Sequence, residues 1–177
     1  MKRAAFLDRD GVINRKPPEG QYVTRWEEMQ FLPGVAEAIA LLIGAGFSVI
    51  VVSNQRCVAK GLLTVRELDL IHQRMCQELA TAGAAITEVY YCPHETQPPC
   101  GCRKPAPGML LAAAHAHEID LTASWMIGDS DIDMEAGRNA GCRTARILKS
   151  DQVASGVADV FAQSLLNAVD QILLLKS

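Results

Sequence analysis

The stretch Phe6-Leu7-Asp8-Arg9-Asp10-Gly11-Val12 places two aspartates, one residue apart, directly after the apolar run Ala4–Leu7. Such a run is typical of a buried strand, and residues i and i+2 leave a strand on the same side. Two carboxylates at that position need a cation or a shared proton, and Gly11 lets the backbone turn closely around a ligand. The stretch therefore predicts a metal-assisted phosphoryl-transfer site, in which one carboxylate attacks and the other handles protons.

Apolar strand-like runs alternate along the chain with segments of helical spacing. The predicted strands are 4–7, 48–53, 86–91, 125–127 and 144–148. The predicted helices follow Pro33, Thr64 and Pro107, and then cover 131–140 and 165–175. Thr64 and Glu67 form a capping-box pattern at the second of them. Strands that alternate with helices predict an α/β fold with a doubly wound, Rossmann-like parallel sheet.

Length and composition limit the class of protein. The 177 residues suit a single domain spanning 1–177, and 49% hydrophobic with 21% charged residues is typical of a globular protein. A net charge of −3 does not favour binding to nucleic acid or to an anionic membrane. Neither a transmembrane segment nor a signal peptide is recognisable. We therefore expect a cytoplasmic protein, monomeric, acting on a small molecule.

Three further predicted strand ends carry chemically useful residues. In Ser53-Asn54-Gln55 a hydroxyl and backbone N–H groups could hold a phosphate oxygen. In Arg103-Lys104-Pro105 a fixed cation could stabilise phosphoryl charge. In Gly128-Asp129-Ser130 a carboxylate could bind a hard divalent cation. Each motif alone is more often a solvated turn, but their order, each at a strand end, predicts one shared site.

These four motifs together resemble those of the haloacid dehalogenase-like phosphohydrolases. The resemblance implies that Asp8 is the nucleophile, which forms an aspartyl-phosphate, and that Asp10 exchanges protons with the leaving alcohol and with water. It implies that Mg²⁺ lies between Asp8, Asp10 and Asp129, and that Ser53 and Lys104 hold the phosphoryl oxygens. For the fourth motif we expect Asp133 to support the site by contacting the residues that bind metal and phosphate, without binding either itself. The alternative is that Asp133 is an exposed carboxylate in the first turn of a helix. We expect Asp131 to be an N-cap.

The segment 92–107 combines five prolines with Cys92, His94, Cys100 and Cys102. Three thiolates and one imidazole form a closed tetrahedral Zn²⁺ set without an open coordination position. We therefore expect an insertion stapled by structural zinc that presents Arg103 and Lys104. Reduced thiols beside an exposed histidine are the alternative.

This loop resembles that of one branch of the family, which contains heptose bisphosphate phosphatases and histidinol-phosphate phosphatases and lacks a large cap domain. The resemblance implies hydrolysis of the C7 phosphate of a heptose 1,7-bisphosphate, a step in lipopolysaccharide precursor synthesis. Histidinol phosphate is the alternative substrate, with Glu19 facing its amine, and a non-catalytic binding module is a further alternative. The expected substrate-binding residues are Gly11, Glu19, Asn54, Gln55, Arg56, Arg103 and Ser130.

Two positions depart from the pattern of the heptose branch. Arg56 stands where a serine is expected, and Cys57 stands where a glycine is expected. The phosphatase motifs are unaffected, so these departures bear on the substrate only. The isolated His72, in the middle of a predicted helix, is expected to be solvated or packed rather than a metal ligand.

Overall fold

The computed structural model describes residues 1–148, 153–154 and 156–175. Strands and helices alternate along most of this length. The strands are β1 Arg3–Leu7, β2 Phe47–Asn54, β3 Glu88–Cys92, β4 Trp125–Gly128, β5 Arg143–Ile147 and β6 Val160–Ala162. The α-helices are α1 Val35–Gly44, α2 Val65–Thr81, α3 Gly108–His117, α4 Asp131–Ala140 and α5 Leu165–Leu174. Two short 3₁₀ turns cover Trp26–Glu28 and Leu121–Ala123.

The strands form one six-stranded sheet in the order β3-β2-β1-β4-β5-β6, and each neighbouring pair is parallel. Side chains of β1 alternate between two buried apolar layers. Ala4 and Phe6 pack in one layer, whereas Ala5 and Leu7 pack in the other. Because both faces of the sheet are covered, the central strands have continuous apolar sequences and not an alternating pattern. The predicted α/β fold with a doubly wound parallel sheet is confirmed.

The sheet topology determines where a ligand can bind. The chain leaves β1 for β2 on one side, and β4 pairs with β1 on the other side. Leu7 pairs with Val51 in β2 and with Ile127 in β4, and the Asp8 backbone N–H donates to the Ile127 carbonyl at 3.0 Å. Asp8 therefore lies at the point where the strand order reverses, which is the usual ligand-binding crevice of such sheets.

The structure differs from the sequence predictions in several elements. The edge strand β6 was not predicted, and β3 begins two residues later than expected. The prediction that Asp131 is an N-cap is wrong, because Ser130 is the N-cap of α4 and Asp131 is its first residue. The Asp131 carboxylate instead pairs with Arg146. Within the described part of the chain, no helix is both long and apolar enough to cross a membrane.

Candidate active site

A buried lysine joins two carboxylates at the carboxyl end of β1. The ammonium of Lys104 donates to Asp8 Oδ1 at 2.9 Å and to the Val52 carbonyl at 2.8 Å, and it lies 2.6 Å from Asp133 Oδ1. Burial alone would lower the pKa of Lys104, but the carboxylates of Asp133 and Asp8 raise it above its ordinary value. Lys104 is therefore a permanent positive charge beside the end of the strand.

The Asp8 carboxyl lies in an environment that disfavours its charge. Its pKa is raised to about 7, chiefly by burial and also by the nearby Asp133 carboxylate, although the Lys104 ammonium opposes both effects. A second cation next to Asp8 would favour the ionised form. The site is therefore arranged so that a bound cation increases the fraction of Asp8 that can act as a nucleophile.

Three carboxylates converge beside this cluster. Oxygens of Asp8, Asp129 and Asp133 all lie within 4.8 Å of one another. The Lys16 ammonium contacts both oxygens of Asp129, at 2.8 Å and 2.6 Å. Burial raises the pKa of Asp129, whereas Lys16 lowers it. Carboxylate oxygens at this spacing are a donor set that fits a hard divalent cation, and Lys16 supplies a positive charge to the same carboxylate.

Two glycines leave the space that these carboxylates occupy. A Cβ atom at Gly11, which has φ of 97°, would lie 2.4 Å from Asp129 Oδ2. A Cβ atom at Gly128 would lie 2.2 Å from the Cβ of Asp133. No other residue type fits at either position without moving a carboxylate. The glycines of the first and fourth motifs thus set the geometry of the acidic cluster.

Asp133 is more deeply involved than an exposed first-turn carboxylate would be. Its side chain is buried. While Oδ1 faces Lys104, Oδ2 accepts hydrogen bonds from the backbone N–H and the hydroxyl of Ser130, at 3.2 Å and 2.5 Å. The start of α4 therefore fixes Asp133, and Asp133 in turn orients the Lys104 ammonium toward Asp8.

The second aspartate of the first motif has both oxygens engaged. Asp10 Oδ1 accepts from Arg9 Nε at 3.2 Å and from Asn14 Nδ2 at 2.8 Å. Its Oδ2 accepts from Arg9 at 3.0 Å and from Gln55 Nε2 at 3.2 Å. Burial alone would raise the pKa of Asp10, but Arg9 and these hydrogen bonds hold it below its ordinary value. Gln55 also donates to the buried hydroxyl of Ser53 at 2.7 Å.

A reciprocal pair of hydrogen bonds ties the third motif to β2. Asn54 Nδ2 donates to the Lys104 carbonyl at 3.0 Å, and the Lys104 N–H donates to Asn54 Oδ1 at 3.0 Å. This pair fixes the backbone of Lys104 beside Ser53. The hydroxyl of Ser53 and the ammonium of Lys104 consequently line the same pocket.

A pocket of about 240 Å³ opens above these groups. One wall is the contiguous segment 16–22, and the floor is formed by the strand ends. The predicted site residues that line it are Asp8, Asp10, Glu19, Ser53, Asn54, Lys104 and Ser130. Gly11, Gln55, Arg56 and Arg103 are not among its lining residues.

Two of the predicted substrate-binding cations make other contacts. Arg56 forms an ion pair with Glu95, and an Arg103 side-chain nitrogen lies 3.4 Å from the His94 carbonyl. Lys16 was not predicted as a site residue. The only signal for Lys16 was its place in the irregular segment that follows the first motif.

The cysteine–histidine loop brings its four predicted ligands together. Cys92 Sγ and Cys102 Sγ each lie 3.5 Å from Cys100 Sγ. His94 Nδ1 lies 3.5 Å from Cys92 Sγ and 3.2 Å from Cys102 Sγ. Tetrahedral Zn–S bonds of about 2.3 Å would place two sulfurs about 3.8 Å apart. These four distances reach tetrahedral values after an expansion of at most a few tenths of an ångström, so the donor set fits a zinc ion.

Comparisons with known proteins agree with this geometry. A family model described as HAD-hydrolase-like matches residues 101–161. A D-glycero-β-D-manno-heptose-1,7-bisphosphate 7-phosphatase of Rhodopseudomonas palustris is 39% identical, over 92% of this chain and 89% of the relative. A D-glycero-D-manno-heptose-1,7-bisphosphate 7-phosphatase of Thermosynechococcus vestitus is 38% identical, over 96% of this chain and 94% of the relative.

A solved structure extends the comparison to three dimensions. The D,D-heptose 1,7-bisphosphate phosphatase of B. bronchiseptica, complexed with magnesium and phosphate, superposes with a TM-score of 0.88. It is 31% identical, and the alignment covers 98% of this chain and 99% of that one. The fold and the site together define a HAD-like hydrolase. Because relatives this similar span nearly the whole chain, the chain belongs to the HAD-like phosphatases, which are phosphoric monoester hydrolases.

Proposed function

We propose that this phosphatase removes the C7 phosphate of D-glycero-D-manno-heptose 1,7-bisphosphate. The observation that carries the chemistry is the Asp8–Lys104–Asp133 cluster at the floor of the pocket. The heptose substrate is supported by relatives at 35–39% identity that are named for this reaction.

The proposed reaction begins with attack of the Asp8 carboxylate on phosphorus. A bond forms between Asp8 and phosphorus while the bond from phosphorus to the C7 oxygen breaks, giving an aspartyl-phosphate and the free alcohol. Lys104 and Ser53 hold the phosphoryl oxygens, so that the charge that spreads over them faces a fixed ammonium and a hydroxyl. Water then attacks the aspartyl-phosphate, which releases phosphate and restores Asp8.

Asp10 supplies and recovers the proton in this scheme. It protonates the departing C7 oxygen in the first step and takes a proton from the attacking water in the second. In the free protein the Arg9 guanidinium keeps the pKa of Asp10 low. An arriving phosphate dianion would raise that pKa, since a second negative charge disfavours the carboxylate.

We propose Mg²⁺ as the catalytic cation and Zn²⁺ as the structural one. The carboxylates of Asp8 and Asp129 and the backbone carbonyl of Asp10 would hold magnesium, which would offset the repulsion between Asp8 and the phosphate. Zinc would be held by the Cys92–Cys102 loop. Lys104 follows Cys102 by only two residues, so a rigid loop would help to position its ammonium.

The segment 16–22 is the proposed recognition wall for the rest of the substrate. Tyr22 lines the pocket, and the Lys60 ammonium lies 5.4 Å from the centre of its ring. We propose that Lys60 supplies positive charge for a second phosphate bound along this wall. Arg56 is neutralised by Glu95, so we do not assign the second phosphate to it.

Glu19 is the observation that favours histidinol phosphate as a second candidate, since it lies in the pocket wall where it could face an amine. The test is phosphate release from purified protein with magnesium, comparing heptose 1,7-bisphosphate with histidinol phosphate. We expect kcat/KM to favour the heptose ester by about a hundredfold, equivalent to about 2.7 kcal/mol of transition-state binding. A preference for histidinol phosphate would overturn the substrate assignment, and no hydrolysis of either ester would overturn the function.

A further inference from the structure

Arg9 stands between the two aspartates of the first motif and is fully buried. Its guanidinium uses Nε and one terminal nitrogen for the two oxygens of Asp10, at 3.2 Å and 3.0 Å. The other terminal nitrogen lies 3.0 Å from His72 Nε2. The guanidinium is planar, so contacts on two sides fix both its position and its rotation.

His72 comes from α2, an element that contributes nothing to the pocket lining. His72 is only 4% exposed, and Tyr91 packs beside its imidazole with ring centres 5.3 Å apart. Arginine nitrogens can only donate, so His72 Nε2 must accept the hydrogen bond, and the ring proton is on Nδ1. Among the described residues, Nδ1 has no hydrogen-bond partner.

This arrangement is costly for a residue that merely fills space. Leaving a buried N–H unpaired is unfavourable, and an apolar side chain of similar size would avoid the problem. Burial and the charge of Arg9 also lower the pKa of His72 to about 3. A neutral imidazole is what the site requires, because it can accept from Arg9 without adding positive charge. The contact to Arg9 is the polar function that distinguishes His72 from a packing residue.

We propose that His72 is a positioning residue for proton transfer, which acts through Arg9 to hold the carboxylate of Asp10. The inference rests on the proposed function, in which Asp10 exchanges a proton with the leaving oxygen. Asn14 and Gln55 also bind Asp10, so loss of His72 loosens the carboxylate without releasing it.

The test uses two esters whose leaving groups differ in their need for a proton. The leaving group of an alkyl phosphate such as heptose 1,7-bisphosphate is a strongly basic alkoxide unless it is protonated, whereas p-nitrophenolate leaves p-nitrophenyl phosphate without a proton. In His72→Leu we expect kcat/KM for the alkyl ester, which reports the step that releases the alcohol, to fall about tenfold. We expect kcat/KM for the aryl ester to stay within twofold, because water attack on the aspartyl-phosphate comes after the step that this constant reports. His72→Gln retains a side-chain acceptor and should recover most of the loss.

Met75→Leu is the matched control, since Met75 is also buried on α2 and has no polar contact in the site. It should leave the ratio of alkyl to aryl kcat/KM unchanged. Equal losses of kcat/KM on both esters in His72→Leu, or no loss on either, would overturn the inference. If His72→Leu does not fold, His72→Phe, which keeps an aromatic ring and loses the acceptor, is measured in its place, with the same expected ratio and the same overturning results. Wild-type protein inactive on both esters would instead overturn the proposed function.

Discussion

The buried imidazole of His72 should make the protein sensitive to mild acid. Its pKa falls from 6.5 to about 3 on folding because of burial and the Arg9 charge. Below pH 6.5 the unfolded chain therefore binds a proton at His72 that the folded chain does not bind. The free energy of unfolding must fall as the pH falls through this range, and the loss ends only near pH 3.

The magnitude follows from the two pKa values. Between pH 7.5 and pH 5.0 the shift of His72 accounts for a loss of about 2 kcal/mol, since each full pH unit is worth about 1.4 kcal/mol. His72→Gln cannot titrate, so its loss over the same interval should be smaller by about that amount. Other acid-sensitive groups are common to both proteins, and their contributions cancel in the difference.

The assay is urea unfolding at pH 7.5 and pH 5.0, for wild-type and His72→Gln protein with equal zinc content, followed by circular dichroism. Each protein is compared with its own free energy of unfolding at pH 7.5, so any packing cost of the substitution cancels. If both proteins lose the same free energy between the two pH values, burial and Arg9 do not hold the imidazole neutral in the folded protein.

Three other substitutions test the site. Asp8→Asn should keep the fold by circular dichroism while phosphate release falls at least about a thousandfold, because the nucleophile is lost. Lys16→Met should bind Mg²⁺ about two- to fivefold more tightly by calorimetry, since magnesium no longer displaces a partly exposed ion pair worth about 0.5–1 kcal/mol. Cys102→Ser should lower the zinc content measured by mass spectrometry and reduce Tm by several degrees, because zinc binding stabilises the folded loop.

Each of these substitutions has an outcome that would contradict its premise. Residual activity of Asp8→Asn near the wild-type rate would remove Asp8 from the mechanism. Unchanged or weaker magnesium binding by Lys16→Met, with Lys16→Arg as the charge-preserving control, would show that Lys16 does not compete for Asp129. Full zinc content in Cys102→Ser would exclude its thiolate from the metal site.

The central strands were predictable because their signal is local. Each is an apolar run that ends in a polar motif, and burial on both faces makes that run continuous. The edge strand Val160–Ala162 has only three residues, too few to show a period. This segment forms a strand because it pairs with β5 and packs against α5, and a local sequence pattern does not reveal such contacts.

For the site, too, local sequence signals predicted some residues, and residues with long-range contacts were missed. The motifs at strand ends predicted which residues meet, since parallel strands bring their carboxyl ends to one edge. Lys16 and His72 were not predicted as site residues, because their contacts depend on how a loop folds back and how α2 packs on Arg9. The burial of Asp133 was likewise hidden, since a first-turn carboxylate is usually solvated.

The pocket is built from two unlike parts of the chain. The reacting groups stand on strand ends that are locked by glycines and buried hydrogen bonds, whereas the opposite wall is the single segment 16–22. Lys16 contacts Asp129 and so belongs to the reacting side. Selection can therefore change the substrate through the six consecutive residues 17–22 without altering the hydrolytic step. Engineering can follow the same route, because exchanging that one segment between homologues should transfer substrate preference while the reaction itself is inherited unchanged.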